Sequence, residues 1–443
     1  MLLSSFIEKL IYGGDGLARL PLGADGRSTA VLVPFVLPGE RVEVEVHQEK
    51  PGFARGSLAR LIDASPERIA ARCPYFQTCG GCHYQHIAYE RQLEFKGGIL
   101  RETLQRIAKI ELRSEIRLHG SPAWNYRNRT RLQVRTAPEF ALGYFKIGSH
   151  QFLTIGECPI SSPLLNRVIA RLLELRGLNC PASVEEIELF ANAEDDRLLA
   201  WAFCGRDANA KDLLRWAEGL RSEVAEIIGV TFFSSRRRGK DDEDDAAAES
   251  KPLAQSGEKS ILYRASGRDY QVSAGAFFQV NRYLIEEMVS VVTGNASGEL
   301  ALDLYSGVGL FSAVMAQNFH HIFGVEASQT AHGDFRHNVT ANVKAVGART
   351  EDYLNNAYPK SAPVRKSPDL VVLDPPRAGA GKAVIRSLVE LRAGRIRYVS
   401  CDPATLARDL IPLLAAGYRI EEAHLFDLFP ETFHIESVML LGR

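Results

Sequence analysis

The strongest constraint on this fold lies in the last part of the chain, where short apolar runs alternate with polar turns and helical stretches. Residues 299–304, 321–325, 370–373 and 396–400 are such runs. Runs of this length with helical material between some of them are the grammar of a parallel, doubly wound sheet. Two of them end in proline-bearing turns. One leads into Asp374-Pro375-Pro376-Arg377 and the other into Cys401-Asp402-Pro403. A carboxylate and a thiol are therefore expected at equivalent ends of nearby strands, and a thiol at such an edge suggests a nucleophile.

The 443 residues allow two or three domains. Residues 1–64 read as a small β-barrel, because Val42, Val44 and Val46 alternate with Glu43 and Glu45 and the short strands are separated by Gly/Pro/Asp turns. Residues 65–270 mix strands and helices. Among them 86–109 has helical spacing, with Leu93, Leu100, Leu104 and Ile107 on one side. Within that part, 236–258 loses all apolar periodicity around Asp241-Asp-Glu-Asp-Asp245 and reads as a solvated acidic linker. Residues 271–443 hold the doubly wound unit.

Hydrophobic residues at 46% and charged residues at 24% are ordinary for a globular chain. No apolar run is long enough to predict a membrane span, and Met1–Lys9 lacks the marks of a signal peptide, so a cytoplasmic location is expected. The net charge of −1 gives no global hint of nucleic acid. Residues 101–150, however, carry ten Lys/Arg against four Glu, which predicts a local phosphate-binding face or a solvated helix face.

Leu302-Asp303-Leu304-Tyr305-Ser306-Gly307-Val308-Gly309 follows an apolar run and opens a helix. Glycine there lets the backbone approach a ligand, and Glu326, ending the next strand, can accept hydrogen bonds from ribose hydroxyls. The third glycine of a dinucleotide fingerprint is missing. An NAD reading places diphosphate on such a turn, whereas S-adenosylmethionine has no phosphate and needs less glycine. Glu436 opens a wholly apolar C-terminal strand, where a carboxylate is costly unless paired or used, and so is a candidate base.

Cys73, Cys79 and Cys82 lie within ten residues, with Gly80-Gly81 between the last two, and Cys158 precedes Pro159. Four thiolates suit zinc or an iron–sulfur cluster, and a distant fourth ligand followed by proline leans towards the cluster. Cys180 and Cys204 are expected to be small buried hydrophobes.

Taken together, these motifs resemble the RNA uracil-5-methyltransferases that carry an N-terminal TRAM domain and an iron–sulfur cluster. The resemblance runs over nearly the whole chain, including Phe277-Phe-Gln279-Val-Asn281 and His434-Ile-Glu436. It implies an OB-like TRAM barrel, a central α+β domain with a metal-cluster loop, and a C-terminal Rossmann-like class I methyltransferase domain. Gln279, Tyr305, Glu326 and Asp374 would contact S-adenosylmethionine, Cys401 would be the nucleophile and Glu436 the base. Cys73, Cys79, Cys82 and Cys158 would hold a 4Fe-4S cluster. The implied reaction is methylation of carbon 5 of a uridine in RNA, with 23S ribosomal RNA expected as the substrate and a monomer as the working form. The alternatives are transfer RNA as substrate, or a catalytically silent RNA-binding or assembly factor. Three positions depart from the family pattern. Ser306 stands where cysteine is frequent, Asp402 where many members carry asparagine, and Leu310 where some carry a cofactor-contacting asparagine.

Overall fold

A computed structural model of the chain describes residues 2–21, 28–112, 114–235, 251–358 and 367–443. Five antiparallel and parallel strands, Leu2–Leu10, Asp15–Pro21, Ser28–Pro34, Arg41–Lys50 and Phe53–Asp63, close into a barrel in the order first, second, third, fifth, fourth. The alternation read from Val42 and Val44 is the barrel's interior, shared with Ile7, Ala18, Leu20, Val31, Val33 and Ala54. Leu10 and Leu37 leave that interior and join Tyr84, Ile87 and Leu100 in the core beneath the last sheet. Glu40, fully buried, accepts from Arg68 at 2.6 and 2.7 Å. Lys9 pairs with Glu102 at 2.5 Å. The barrel is therefore anchored to the rest of the molecule by both packing and charge.

A seven-stranded sheet follows, running from Ala254–Gly257 through Ile227–Ser234, Leu198–Cys204, Val184–Ala191, Arg129–Arg135 and Ala141–Phe145 to Phe152–Thr154. Leu198–Cys204 is buried along its whole length because both faces are covered. Ala200, Ala202 and Cys204 face the helices Pro163–Glu174 and Ala210–Glu223, while Leu199, Trp201 and Phe203 face the core shared with the C-terminal sheet. Of the expected linker, 236–250 lies outside the described residues. Ala254–Gly257 differs from expectation by pairing antiparallel with Ile227–Ser234. An edge strand held by backbone hydrogen bonds needs no apolar pattern, so periodicity was blind to it.

The third sheet has eight strands in the order Val343–Gly347, Phe319–Glu326, Gly298–Leu304, Leu370–Leu373, Arg395–Ser400, Glu436–Gly442, Arg419–Phe426, Arg117–His119. The first five are parallel; four of them are the apolar runs read from the sequence, and Val343–Gly347, interrupted by Lys344, is an addition to them. Glu436–Gly442 is antiparallel and inserted beside Arg395–Ser400. Reversal puts its first residue at the edge where the parallel strands finish, which is what positions the site. The helix Tyr89–Ala108 packs Ile99, Leu100 and Leu104 against Leu406, Leu410 and Leu413 of the helix Pro403–Ala415. Ile107, expected on that face, is 38% exposed, and Lys96 is fully buried instead. Among the described residues, no helix is long and apolar enough to cross a membrane.

Candidate active site

Three neighbouring strand ends converge. Leu373 pairs with Tyr398 and Ser400 with Ser437, so Asp374, Cys401 and Glu436 follow or begin adjacent strands at one edge. The Ser437 hydroxyl donates to the Ser400 carbonyl at 3.2 Å, tying the thiol-bearing and carboxylate-bearing strands together. Cys401 is half-buried. Asp402 caps the helix Pro403–Ala415 by accepting from the N–H groups of Ala404 (2.9 Å) and Thr405 (2.8 Å), with Pro403 in the first turn. Asparagine would cap equally well, which gives the family's variation here a physical reason.

The electrostatics are dominated by carboxylates. Burial, then the Glu436 and Asp374 charges, push the Cys401 thiol well above its ordinary range, with Arg377 pulling the other way. Asp374 is half-buried as a residue, yet its carboxylate sits in surroundings dry enough to push it up to about 7. Glu436 is 7% exposed, and burial followed by the Asp374 charge raises it well above the usual range. Asp303 is pushed to about 7 by burial, offset by donors at Ser312 (N at 3.0 Å, Oγ at 2.5 Å). Carboxyls whose ionisation is held back in this way gain from a positive charge beside them, so the site favours a cationic ligand.

The glycine turn lies two strands away. Tyr305 itself takes the left-handed conformation (φ 63°), and a Cβ on Gly309 (φ 89°) would sit 2.3 Å from the Phe335 ring. Glu326 accepts from the Gly307 N–H at 2.8 Å and the Ser328 N–H at 2.7 Å, bracing the turn. Gln279 is half-buried, and its carbonyl is held by Asn128 at 3.0 Å. His434, packed between Phe429 and Phe433, is driven by burial down to about 3 and is neutral.

The four cysteines expected to bind metal line one cavity of about 380 Å³, with Gly80, Gly81 and Arg127. Burial raises Cys79 to about 11, and its neighbours Cys158 and Cys73 push in the same direction. Among the described residues, no three ligand-type side chains converge so as to hold a metal ion.

Part of the basic segment is spent internally rather than offered to phosphate. Arg129 and Arg131 donate to the buried Glu188 at 2.5 and 2.7 Å, and lie over Trp201 and Phe203. Tyr126 is fully buried, its hydroxyl donating to the Pro430 carbonyl at 3.1 Å. Sequence reasoning also missed a polar group beneath the site, in which Lys96 donates to Asp427 at 2.7 Å with both side chains fully buried, and to the Phe429 carbonyl at 3.1 Å. The signal was a lysine on the apolar side of the Tyr89–Ala108 helix. These bonds hold the 427–435 loop that delivers Glu436.

Fold and site define a methyltransferase-type sheet with a thiol and two carboxylates at its active edge. The tRNA (Uracil-5-)-methyltransferase family profile matches residues 258–443, and that of the TRAM domain matches residues 6–59. The 23S rRNA (uracil(1939)-C(5))-methyltransferase RlmD of Chromohalobacter salexigens is 33% identical over 99% of this chain and 88% of its own length. The Halomonas elongata protein of the same description is 31% identical over 98% and 88%. The crystal structure of Pyrococcus abyssi tRNA (uracil-54, C5)-methyltransferase in complex with S-adenosyl-L-homocysteine superimposes with a TM-score of 0.74. It is 26% identical and covers 99% of this chain and 100% of that one. The chain belongs to the RNA uracil-5-methyltransferase family, and its activity is methyl transfer to carbon 5 of uracil in RNA.

Proposed function

We propose that the protein methylates a uridine of 23S ribosomal RNA with S-adenosylmethionine, through a covalent Cys401 adduct. The observation that carries this reading is the thiol flanked by Asp374 and Glu436 on adjacent strand ends. Carbon 5 of uracil is too weak a nucleophile to take a methyl group unaided. The Cys401 thiolate adds to carbon 6, and the resulting enolate attacks the methyl group from carbon 5. Glu436 then removes the carbon 5 proton, and elimination across carbons 5 and 6 releases Cys401. In the free protein burial, reinforced by the carboxylates around it, holds the thiol protonated. A sulfonium cation next to Asp374 offsets that charge and favours the thiolate. Gln279, Tyr305, Glu326 and Asp374 form the methyl donor's site, with Glu326 taking the ribose and Asp374 facing the cationic end.

Ribosomal RNA is favoured over transfer RNA because the curated relatives named for 23S rRNA span nearly the whole chain at 31–33% identity. The transfer-RNA reading is supported by the Pyrococcus structure at 26%. Mapping methylated uridines in RNA from cells lacking the protein distinguishes them. Incubation with radiolabelled methyl donor and RNA tests the chemistry. Wild type is expected to incorporate label and Cys401→Ala to lose it, whereas undiminished incorporation by Cys401→Ala would refute the nucleophile.

We assign Cys73, Cys79, Cys82 and Cys158 to a 4Fe-4S cluster. Four thiols lining one cavity are the donor set that such a cluster takes. Bound there, the cluster would cross-link the 73–82 segment to Cys158. Colourless protein carrying zinc after anaerobic purification would overturn the assignment. The division at 1–64, 65–270 and 271–443, a monomeric state and a cytoplasmic location complete the proposal.

A further inference from the structure

The barrel reaches the reacting thiol. After the strand Leu2–Leu10, the chain turns through Ile11–Gly14, closed by the Ile11 N–H on the Asp15 carbonyl at 2.9 Å. Gly13 and Gly14 hold positive φ (109° and 94°), and an added Cβ on Gly14 would lie 3.3 Å from the His83 ring. This turn projects Tyr12 away from the barrel towards the C-terminal sheet. Its hydroxyl donates to the Cys401 carbonyl at 3.3 Å, a contact spanning 389 positions of sequence. The same hydroxyl lies beside the Asp402 carboxylate, with Arg377 nearby. The Tyr12 ring meets Phe433 edge-on at 5.8 Å, and Phe433 packs on His434 at 4.3 Å and on His83 at 4.7 Å. Tyr12 thus touches both segments that bear the proposed chemistry, the Cys401-Asp402 turn and the loop leading to Glu436.

The barrel is rigidly seated while it does so, through Leu10 in the shared core and the Lys9–Glu102 pair. A tyrosine needed only for docking would be served by its ring. The hydroxyl is aimed instead at the carbonyl of the nucleophile itself, in a turn where the Asp402 N–H donates to the Ser400 hydroxyl at 3.3 Å before the helix Pro403–Ala415 begins.

We propose that Tyr12 is a positioning residue for Cys401, and that the barrel's first turn forms one wall of the reacting site. This rests on Cys401 being the nucleophile, but one of its tests does not. A net hydrogen bond of ordinary strength corresponds to about a five-fold change in the equilibrium between the ordered and the open turn. Tyr12→Phe keeps the ring against Phe433 and removes only the donor. Its folding stability in urea is expected to fall by no more than that same five-fold, about 1 kcal/mol, and its KM for the RNA that wild type methylates to stay at the wild-type value. Alkylation of the half-buried Cys401 by iodoacetamide, followed on the Cys401 peptide by mass spectrometry, reads the minor open form and is expected to rise about five-fold, while the single-turnover methylation rate is expected to fall by at most about five-fold. Alkylation reads the position of the thiol whether or not it is the nucleophile. An unchanged alkylation rate in Tyr12→Phe overturns the proposal. Altered alkylation together with full activity of Cys401→Ala would leave Tyr12 as the positioner of a thiol that is not the nucleophile. Loss of activity in Cys401→Ala with an unaltered Tyr12→Phe would remove Tyr12 alone.

Discussion

Asp374 offers the most quantitative handle on the methyl donor's site. In the free protein its carboxyl is raised to about 7 by burial, so about one molecule in ten is ionised at pH 6 and about nine in ten at pH 8. A cationic ligand held against it binds the ionised form. Binding therefore expels a proton from the fraction still protonated, and affinity rises with pH across this window. The arithmetic gives about a ten-fold tighter Kd for S-adenosylmethionine at pH 8 than at pH 6, or about 1.4 kcal/mol. Titration calorimetry at pH 6, 7 and 8, each in two buffers of different ionisation enthalpy, reads both the affinity and the released proton. Asp374→Asn binds more weakly but removes this component of the slope, and any titration of the ligand itself persists in it and is subtracted. Equal pH slopes for wild type and Asp374→Asn would refute the placement of the cation at this carboxylate.

Lys96→Met removes one partner of a fully buried ion pair and is expected to cost about 3–5 kcal/mol in urea unfolding, much of it recovered in Lys96→Met/Asp427→Leu. A double variant no more stable than the single one would contradict this. Gly309→Ala meets the Phe335 ring and adopts an unfavourable φ, and is expected to cost about 2–5 kcal/mol. Gly307→Ala (φ 55°), which meets open space, is expected to cost only about 1–2 kcal/mol. Equal losses at the two positions, again from urea unfolding, would remove the steric part of the argument.

The C-terminal sheet was readable because four of its five parallel strands are apolar runs, Val343–Gly347 with its Lys344 being the exception, and the barrel because Val42, Val44 and Val46 alternate. Cys401, Asp374 and Glu436 could be singled out because each is a polar group at the end of an apolar stretch. That they share an edge depends on the antiparallel insertion of Glu436–Gly442, which no local pattern encodes. Lys96 was hidden for a related reason. Its partner lies 331 positions away, so the helix sequence alone presents a charge where an apolar residue belongs. The arginines of 127–131 misled in the opposite sense. Their charge suggested an open phosphate face, but Glu188, four positions after Val184 on a neighbouring strand, neutralises Arg129 and Arg131. Tyr12 carried no signal at all, since its meaning comes wholly from where the barrel is seated.

The central claim is a covalent bond between Cys401 and carbon 6 of uracil, and trapping it is the most direct test. Glu436→Gln, incubated with RNA and S-adenosylmethionine, digested and examined by mass spectrometry, is expected to yield the Cys401 peptide carrying a 5-methylated uridine nucleotide. Continued turnover to free 5-methyluridine with no such adduct, or an adduct on another residue, would contradict the mechanism.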